Sequence, residues 1–219
     1  MITCIGDSFT AGAELDDVNL AWPILLGNLL NCKITNLGKG GTCNDRILKR
    51  AMDATFIKSS DLIIVAWSTP VRSEIADANG VFNYWPGKNL LWVNDNYRKD
   101  ITRLTTVFES DNLYKWAHRR WLRSIILLQT FFKAHNQRYL MIQGHGSQIE
   151  NHKWIVNTDL HRDLADHIDP EFLFGWPVEG IVEWVGDAPR GQHGHPLELG
   201  QQRIAEKLNE HIRNLGWLP

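Results

Sequence analysis

Cysteine is scarce in this chain, and the three that occur, Cys4, Cys32 and Cys43, are an odd number without paired spacing. That argues against a disulfide framework or a zinc site, and it favours a reducing compartment. No sign of charge dominates either: 23 Lys and Arg against 25 Asp and Glu leave a formal net charge of -2. The basic residues are scattered, so no nucleic-acid footprint is marked. The densest basic run, His118-Arg119-Arg120-Trp121-Leu122-Arg123, has apolar neighbours at helical spacing and reads as a helix with a solvated basic face. No apolar stretch approaches the roughly 18 residues of a membrane span. The chain opens Met1-Ile2-Thr3-Cys4-Ile5 and runs straight into a serine motif, with no room for a charged and apolar leader. A soluble, cytoplasmic protein is expected, although a virion component released by lysis would also lack a leader. Glycine-rich stretches occur, but none has the ending of a phosphate loop or the pattern of a dinucleotide fingerprint, and no cofactor is expected.

The 219 residues, 43% hydrophobic and 22% charged, suit one domain over residues 1–219 with a single sizeable core. Short apolar or β-branched runs at 3–6, 33–37, 61–67 and 138–143 alternate with helical patterns at 21–30, 44–57, about 98–135 and 198–215. This alternation predicts an α/β fold, a three-layer α/β/α sandwich around a mostly parallel, flavodoxin-like sheet. Right-handed crossovers gather the loops after the strands at one sheet edge, where ligands of open α/β folds bind. Two longer segments, about 74–97 and 144–189, read as irregular insertions that either shape a substrate site or merely cover the sheet.

Three places carry possible chemistry. Gly6-Asp7-Ser8-Phe9-Thr10-Ala11-Gly12 follows the first strand, which puts the Ser8 hydroxyl on a tight turn at the sheet edge. Taken alone, a Gly-Asp-Ser is more often an ordinary turn or helix cap. Asn36-Leu37-Gly38-Lys39-Gly40-Gly41-Thr42 follows the second strand, and its glycines let backbone N–H groups approach a ligand closely. Gly191-Gln192-His193-Gly194-His195-Pro196 precedes the last helix, and a histidine there can serve as general base.

Together these places resemble the SGNH hydrolases, also called GDSL esterases, from the first strand to the last helix. The resemblance implies Ser8 as nucleophile, His195 as base, and an oxyanion site from Ser8 and Gly41. It also brings two departures. The family's third strand ends in Gly-x-Asn-Asp, whose Asn donates to the oxyanion, whereas this chain reads Trp67-Ser68-Thr69-Pro70-Val71-Arg72. Thr69 falls at the Asn position with Ser68 beside it, and either hydroxyl has one hydrogen to donate, or a nearby backbone N–H takes the donor's place. Arg72 would then either face the site and bind an anionic or hydroxylated substrate group, or pair with Glu74 at the surface. The family's Asp three residues before the histidine is replaced by Gln192. Two arrangements follow: Asp187 swings in, or a Ser8–His195 dyad is steered by a backbone carbonyl or by Gln192.

Other residues have plain readings. Asp7 is expected to hold the turn, and His145 to be a hydrogen-bonded loop residue. His152, His161 and His167, interspersed with Asp159, Asp163, Asp166 and Asp169, form no recognisable ligand set, so no metal is expected. Ten tryptophans suit core packing more than a ligand surface, Trp22 and Trp67 above all, although Trp85, Trp92, Trp116, Trp154, Trp176 and Trp184 lie in or near the irregular parts. By resemblance the expected activity is ester hydrolysis, with a small acyl group such as acetyl on a carbohydrate as substrate. A lipase or thioesterase is the enzymatic alternative. A carbohydrate-binding or assembly module with little turnover is the non-enzymatic one, because the usual Asp and Asn are missing.

Overall fold

The computed structural model describes residues 1–53, 60–77, 80–84, 111–144 and 159–217. Five parallel strands form one sheet: β1 (Ile2–Ile5), β2 (Ile34–Asn36), β3 (Leu62–Trp67), β6 (Tyr139–Gln143) and β7 (Leu173–Phe174). Their order is β2-β1-β3-β6-β7, the doubly wound order with one reversal beside β1. The register sets Ile2 between Ile34 and Leu62, and Ile63 against Tyr139. A separate antiparallel hairpin joins β4 (Ser73–Asp77) to β5 (Gly80–Tyr84).

The central strand β3, Leu-Ile-Ile-Val-Ala-Trp, is buried at every position, as a strand covered on both faces must be. Its side chains alternate between two cores. Leu62, Ile64 and Ala66 face a cluster that includes Trp22, Leu26, Ile181, Val185, Ile204 and Leu208. These come from α2 (Trp22–Leu29), α5 (Ile181–Val185) and α6 (Glu198–Asn214). Ile63, Val65 and Trp67 face Ile47, Leu122, Ile125 and Phe132, from α3 (Asn44–Ala51) and α4 (Asp111–Ala134). The three layers expected from the sequence are therefore present, and Trp22 and Trp67 are core residues.

The segments expected to be irregular are partly regular. Ser73–Asp77 pairs antiparallel with Gly80–Tyr84, and Leu173–Phe174 extends the main sheet by pairing with Met141 and Ile142. A two-residue strand is too short to show a period, which is why sequence pattern misses it. Residues 85–97, 98–110 and 145–158 of the expected insertions and helix lie outside the described residues. The basic run of α4 is not simply solvated. His118 is buried, Arg119 makes a two-pronged contact with Asp163 at the start of the C-terminal third, and Arg120 reaches the carbonyl of Arg72 at 3.0 Å and Asp45 at 3.6 Å. Among the described residues no helix is long and apolar enough to cross a membrane.

Ile64 lies mid-sheet and fully buried, so Ile64→Ala is expected to lower unfolding free energy by about 2–5 kcal/mol. Denaturant melts check this, and a loss below about 1 kcal/mol would contradict the central place of β3.

Candidate active site

Ser8 opens α1 (Ser8–Ala11), a single helical turn directly after β1, and is 8% exposed. Asp7 is its N-cap, accepting the Phe9 N–H at 3.1 Å. The same buried carboxylate accepts the Ser68 hydroxyl at 2.8 Å and the Arg72 guanidinium at 3.0 Å, and Arg72 donates onward to the Thr42 carbonyl at 3.2 Å. One buried ion pair thus ties the turn after β1, the glycine loop after β2 and the turn after β3 together. Burial pulls the Arg72 guanidinium down from its ordinary pKa and the Asp7 charge opposes this, and a guanidinium stays protonated in either case. The expected surface pairing of Arg72 with Glu74 is therefore corrected. Glu74 pairs with Arg46 at 2.5 Å, because Arg72 lies under the loops at 6% exposure. Nor is its charge open to a substrate anion, since Asp7 already neutralises it.

The glycine loop lies against α1. Asn36 donates to the Thr10 carbonyl at 2.9 Å and accepts the Gly38 N–H at 2.9 Å. Gly41 has φ of 75°, the left-handed region in which a side chain is strained. After β3, Asn44 clamps the backbone on both sides, accepting the Ser68 N–H at 2.8 Å and donating to the Ser68 carbonyl at 2.9 Å. Sequence reasoning read Asn44 only as a helical residue. Because the single Ser68 hydroxyl hydrogen goes to Asp7, Thr69, 8% exposed, is the hydroxyl of the two left for a ligand.

His195 is brought to the same edge by a tight loop. Arg190 and Pro196 form an antiparallel bridge, and Gly191 donates to the His195 carbonyl at 2.9 Å. Gln201, fully buried, donates to the Pro196 carbonyl at 3.1 Å while accepting the Trp22 N–H at 2.9 Å. The imidazole packs on the ring of Phe9, the neighbour of Ser8, with centroids 5.4 Å apart.

Its Nδ1 does not meet Asp187, Gln192 or a backbone carbonyl. It lies 2.6 Å from Oε2 of Glu14, on the segment just past α1. The Glu14 carboxylate also accepts the His193 N–H at 2.9 Å and the His195 N–H at 3.3 Å. Asp187 instead pairs with Arg203 at 2.7 Å and points to solvent, and Gln192 is exposed. Burial pushes the Glu14 carboxyl up, but the hydrogen bonds from His193 and His195 outweigh it and hold the pKa at about 2.

Elsewhere, His161 is buried beside His118, with ring centroids 6.3 Å apart, and Trp116 is 54% exposed under the Arg120 guanidinium, against the core role expected of it. Among the described residues no three His, Cys, Asp or Glu side chains converge as a metal site would require. His145, His152, Trp85, Trp92 and Trp154 lie outside the described residues.

No protein-family model matches the chain, and no curated protein matches it in sequence. Solved structures match it in fold. TesA aligns over 98% of both chains with a TM-score of 0.57 and 14% identity. A carbohydrate esterase family 2 enzyme with its carbohydrate-binding domain, from Corynascus thermopiles (Myceliophthora fergusii), aligns over 99% of this chain and 66% of its own, with a TM-score of 0.56 and 14% identity. A two-domain esterase, CEX, active on acetylated mannans and co-crystallised with mannopentaose, aligns over all of this chain and 50% of its own, with a TM-score of 0.51 and 14% identity. This chain therefore spans about two thirds and one half of the last two.

The chain has the SGNH hydrolase fold. In that fold the turns after β1, β2 and β3 and the loop before the last helix meet at one sheet edge, which is where Ser8, Gly41, Thr69 and His195 stand. The departures from the SGNH pattern are then local: a threonine beside a clamped serine after β3, and a glutamate from the far side of α1 on the histidine.

Two measurements test the geometry. Arg72→Met removes the guanidinium from a buried carboxylate and is expected to cost about 3–5 kcal/mol in denaturant melts, whereas Asp7→Asn with Arg72→Met is expected to recover part of that loss. For Glu14 the folded pKa lies below its ordinary 4.5, so its contribution to stability is complete above pH about 4.5 and disappears as pH falls toward about 2. The stability gap between the wild type and Glu14→Gln should therefore close over that window, and a gap unchanged down to pH about 2 would contradict it.

Proposed function

We propose that this protein is a serine esterase that removes a small acyl group, acetyl in the first instance, from a carbohydrate. The observation that carries the reading is the packing of His195 on Phe9. This packing seats the imidazole of the last loop on the residue next to Ser8, although the two are far apart in sequence. A serine hydroxyl is a weak nucleophile until such a base takes its proton.

In the proposed reaction Nε2 of His195 accepts the Ser8 proton as Oγ attacks the acyl carbon. The developing oxyanion is received by the N–H groups of Ser8 and Gly41 and by the Thr69 hydroxyl, donors fixed in place by Asp7, Arg72 and Asn44 before any charge appears. The imidazolium returns its proton to the leaving alcohol. Water, deprotonated by the same nitrogen, then attacks the acyl-enzyme, releasing the acid and restoring Ser8. Support for a carbohydrate ester comes from the two structural neighbours that act on such substrates by their descriptions, a carbohydrate esterase and an esterase active on acetylated mannans. Fold likeness alone does not choose a substrate.

A fluorophosphonate probe is expected to label the wild type and not Ser8→Ala, and Ser8→Ala is expected to lower turnover of 4-nitrophenyl acetate by about 10⁵-fold or more. Thr69→Ala is expected to lower kcat by about 10²-fold. Release of acetate from acetylated mannan, exceeding release of long-chain acids from triacylglycerol, supports the substrate class. A wild type that neither labels nor turns over aryl esters would point instead to a binding module on this scaffold.

A further inference from the structure

We infer that Glu14 is the positioning residue of the catalytic histidine, so that the nucleophile and the acid of the triad both come from the segment after β1 and only the base comes from the last loop. This rests on the esterase reading of Ser8 and His195. In the SGNH pattern the acid precedes the histidine by three residues in the same loop; here that place is Gln192, which is exposed.

Four features of the structure converge on Glu14. Its Oε2 lies 2.6 Å from Nδ1 of His195, a distance suited to a charge-assisted hydrogen bond. A carboxylate can only accept, so this contact fixes the neutral imidazole with its hydrogen on Nδ1 and its lone pair on Nε2, the tautomer a base requires. The same carboxylate receives the N–H groups of His193 and His195, which sets the loop as well as the ring. Room for it depends on Gly191, where a Cβ would come within 2.6 Å of the Glu14 carboxyl carbon; no side chain fits there without moving the glutamate. Finally, Glu14 has φ of 68°, a left-handed backbone that a residue with a side chain adopts only where its surroundings hold it.

The alternative carboxylate, Asp187, is engaged by Arg203 and almost wholly exposed. A purely structural Glu14 would tie down the loop without governing the proton on the ring, and the two roles separate experimentally. Glu14→Gln keeps the size and one acceptor but also offers an amide N–H to Nδ1, which favours the wrong tautomer. It is expected to lower kcat for 4-nitrophenyl acetate by about 10²–10⁴-fold with KM within about threefold, while Asp187→Asn changes kcat less than about twofold. In ¹⁵N NMR of the wild type, His195 at neutral charge should carry its hydrogen on Nδ1, with a far-downfield proton resonance that disappears in Glu14→Gln. Unchanged kcat and tautomer in Glu14→Gln would overturn the inference, as would an Nε2–H tautomer in the wild type. A wild type that fails to label at Ser8 would sink the esterase reading, and the tautomer measurement would still decide whether Glu14 governs the ring.

Discussion

The buried carboxylate of Asp7 is the contact on which the candidate site depends. It accepts from the Phe9 backbone, the Ser68 hydroxyl and the Arg72 guanidinium, and that guanidinium reaches the carbonyl next to Gly41. Between them these groups belong to the three turns after β1, β2 and β3 at the sheet edge. Parallel strands bring those turns near one another, but strand packing alone leaves a loop free by an ångström or more, which is too loose for donors that must meet a developing oxyanion. A charge pair buried among the turns costs desolvation and is a poor source of net stability. Its effect here is to fix one arrangement, because every other arrangement strands a charge.

Glu14 does for the histidine loop what Asp7 does for the other three. Its carboxylate replaces, from across the site, an acid that the loop itself lacks. The two carboxylates have opposite surroundings: Asp7 is enclosed and neutralised by an arginine, whereas Glu14 is partly open and held by N–H donors and an imidazole. Under the esterase reading, only Glu14 communicates with the proton that moves.

Much of this was legible in the sequence. The strand and helix alternation marks the doubly wound sheet because each strand is a short apolar run bounded by turn residues, and Ser8, Gly41 and His195 stand out as candidates through the family resemblance of the short stretches around them, just after strands or before a helix. What is hidden at the site is hidden for one physical reason: it consists of side-chain contacts between segments remote in sequence. Nearness in sequence points to Glu74, two residues away, as the partner of Arg72, which is held instead by Asp7, 65 residues away. Nearness in sequence points to Asp187 as the carboxylate on His195, whereas the contact is made by Glu14, 181 residues away. Glu14, Asp16 and Asp17 all follow the Ser8 turn, and nothing in their spacing distinguishes the one that turns inward. Asn44 and Gln201 read as ordinary helix residues and act as backbone clamps for the same reason.

The central claim is that Ser8 is an activated nucleophile facing an oxyanion site built by these turns. The crystal structure of the protein after reaction with a fluorophosphonate tests it most directly. The account predicts phosphorus bonded to Ser8 Oγ, its free oxygen within hydrogen-bonding distance of the Ser8 and Gly41 N–H groups, and His195 still seated on Glu14. A phosphonyl group on another residue, or one on Ser8 whose oxygen turns away from Gly41, would contradict it.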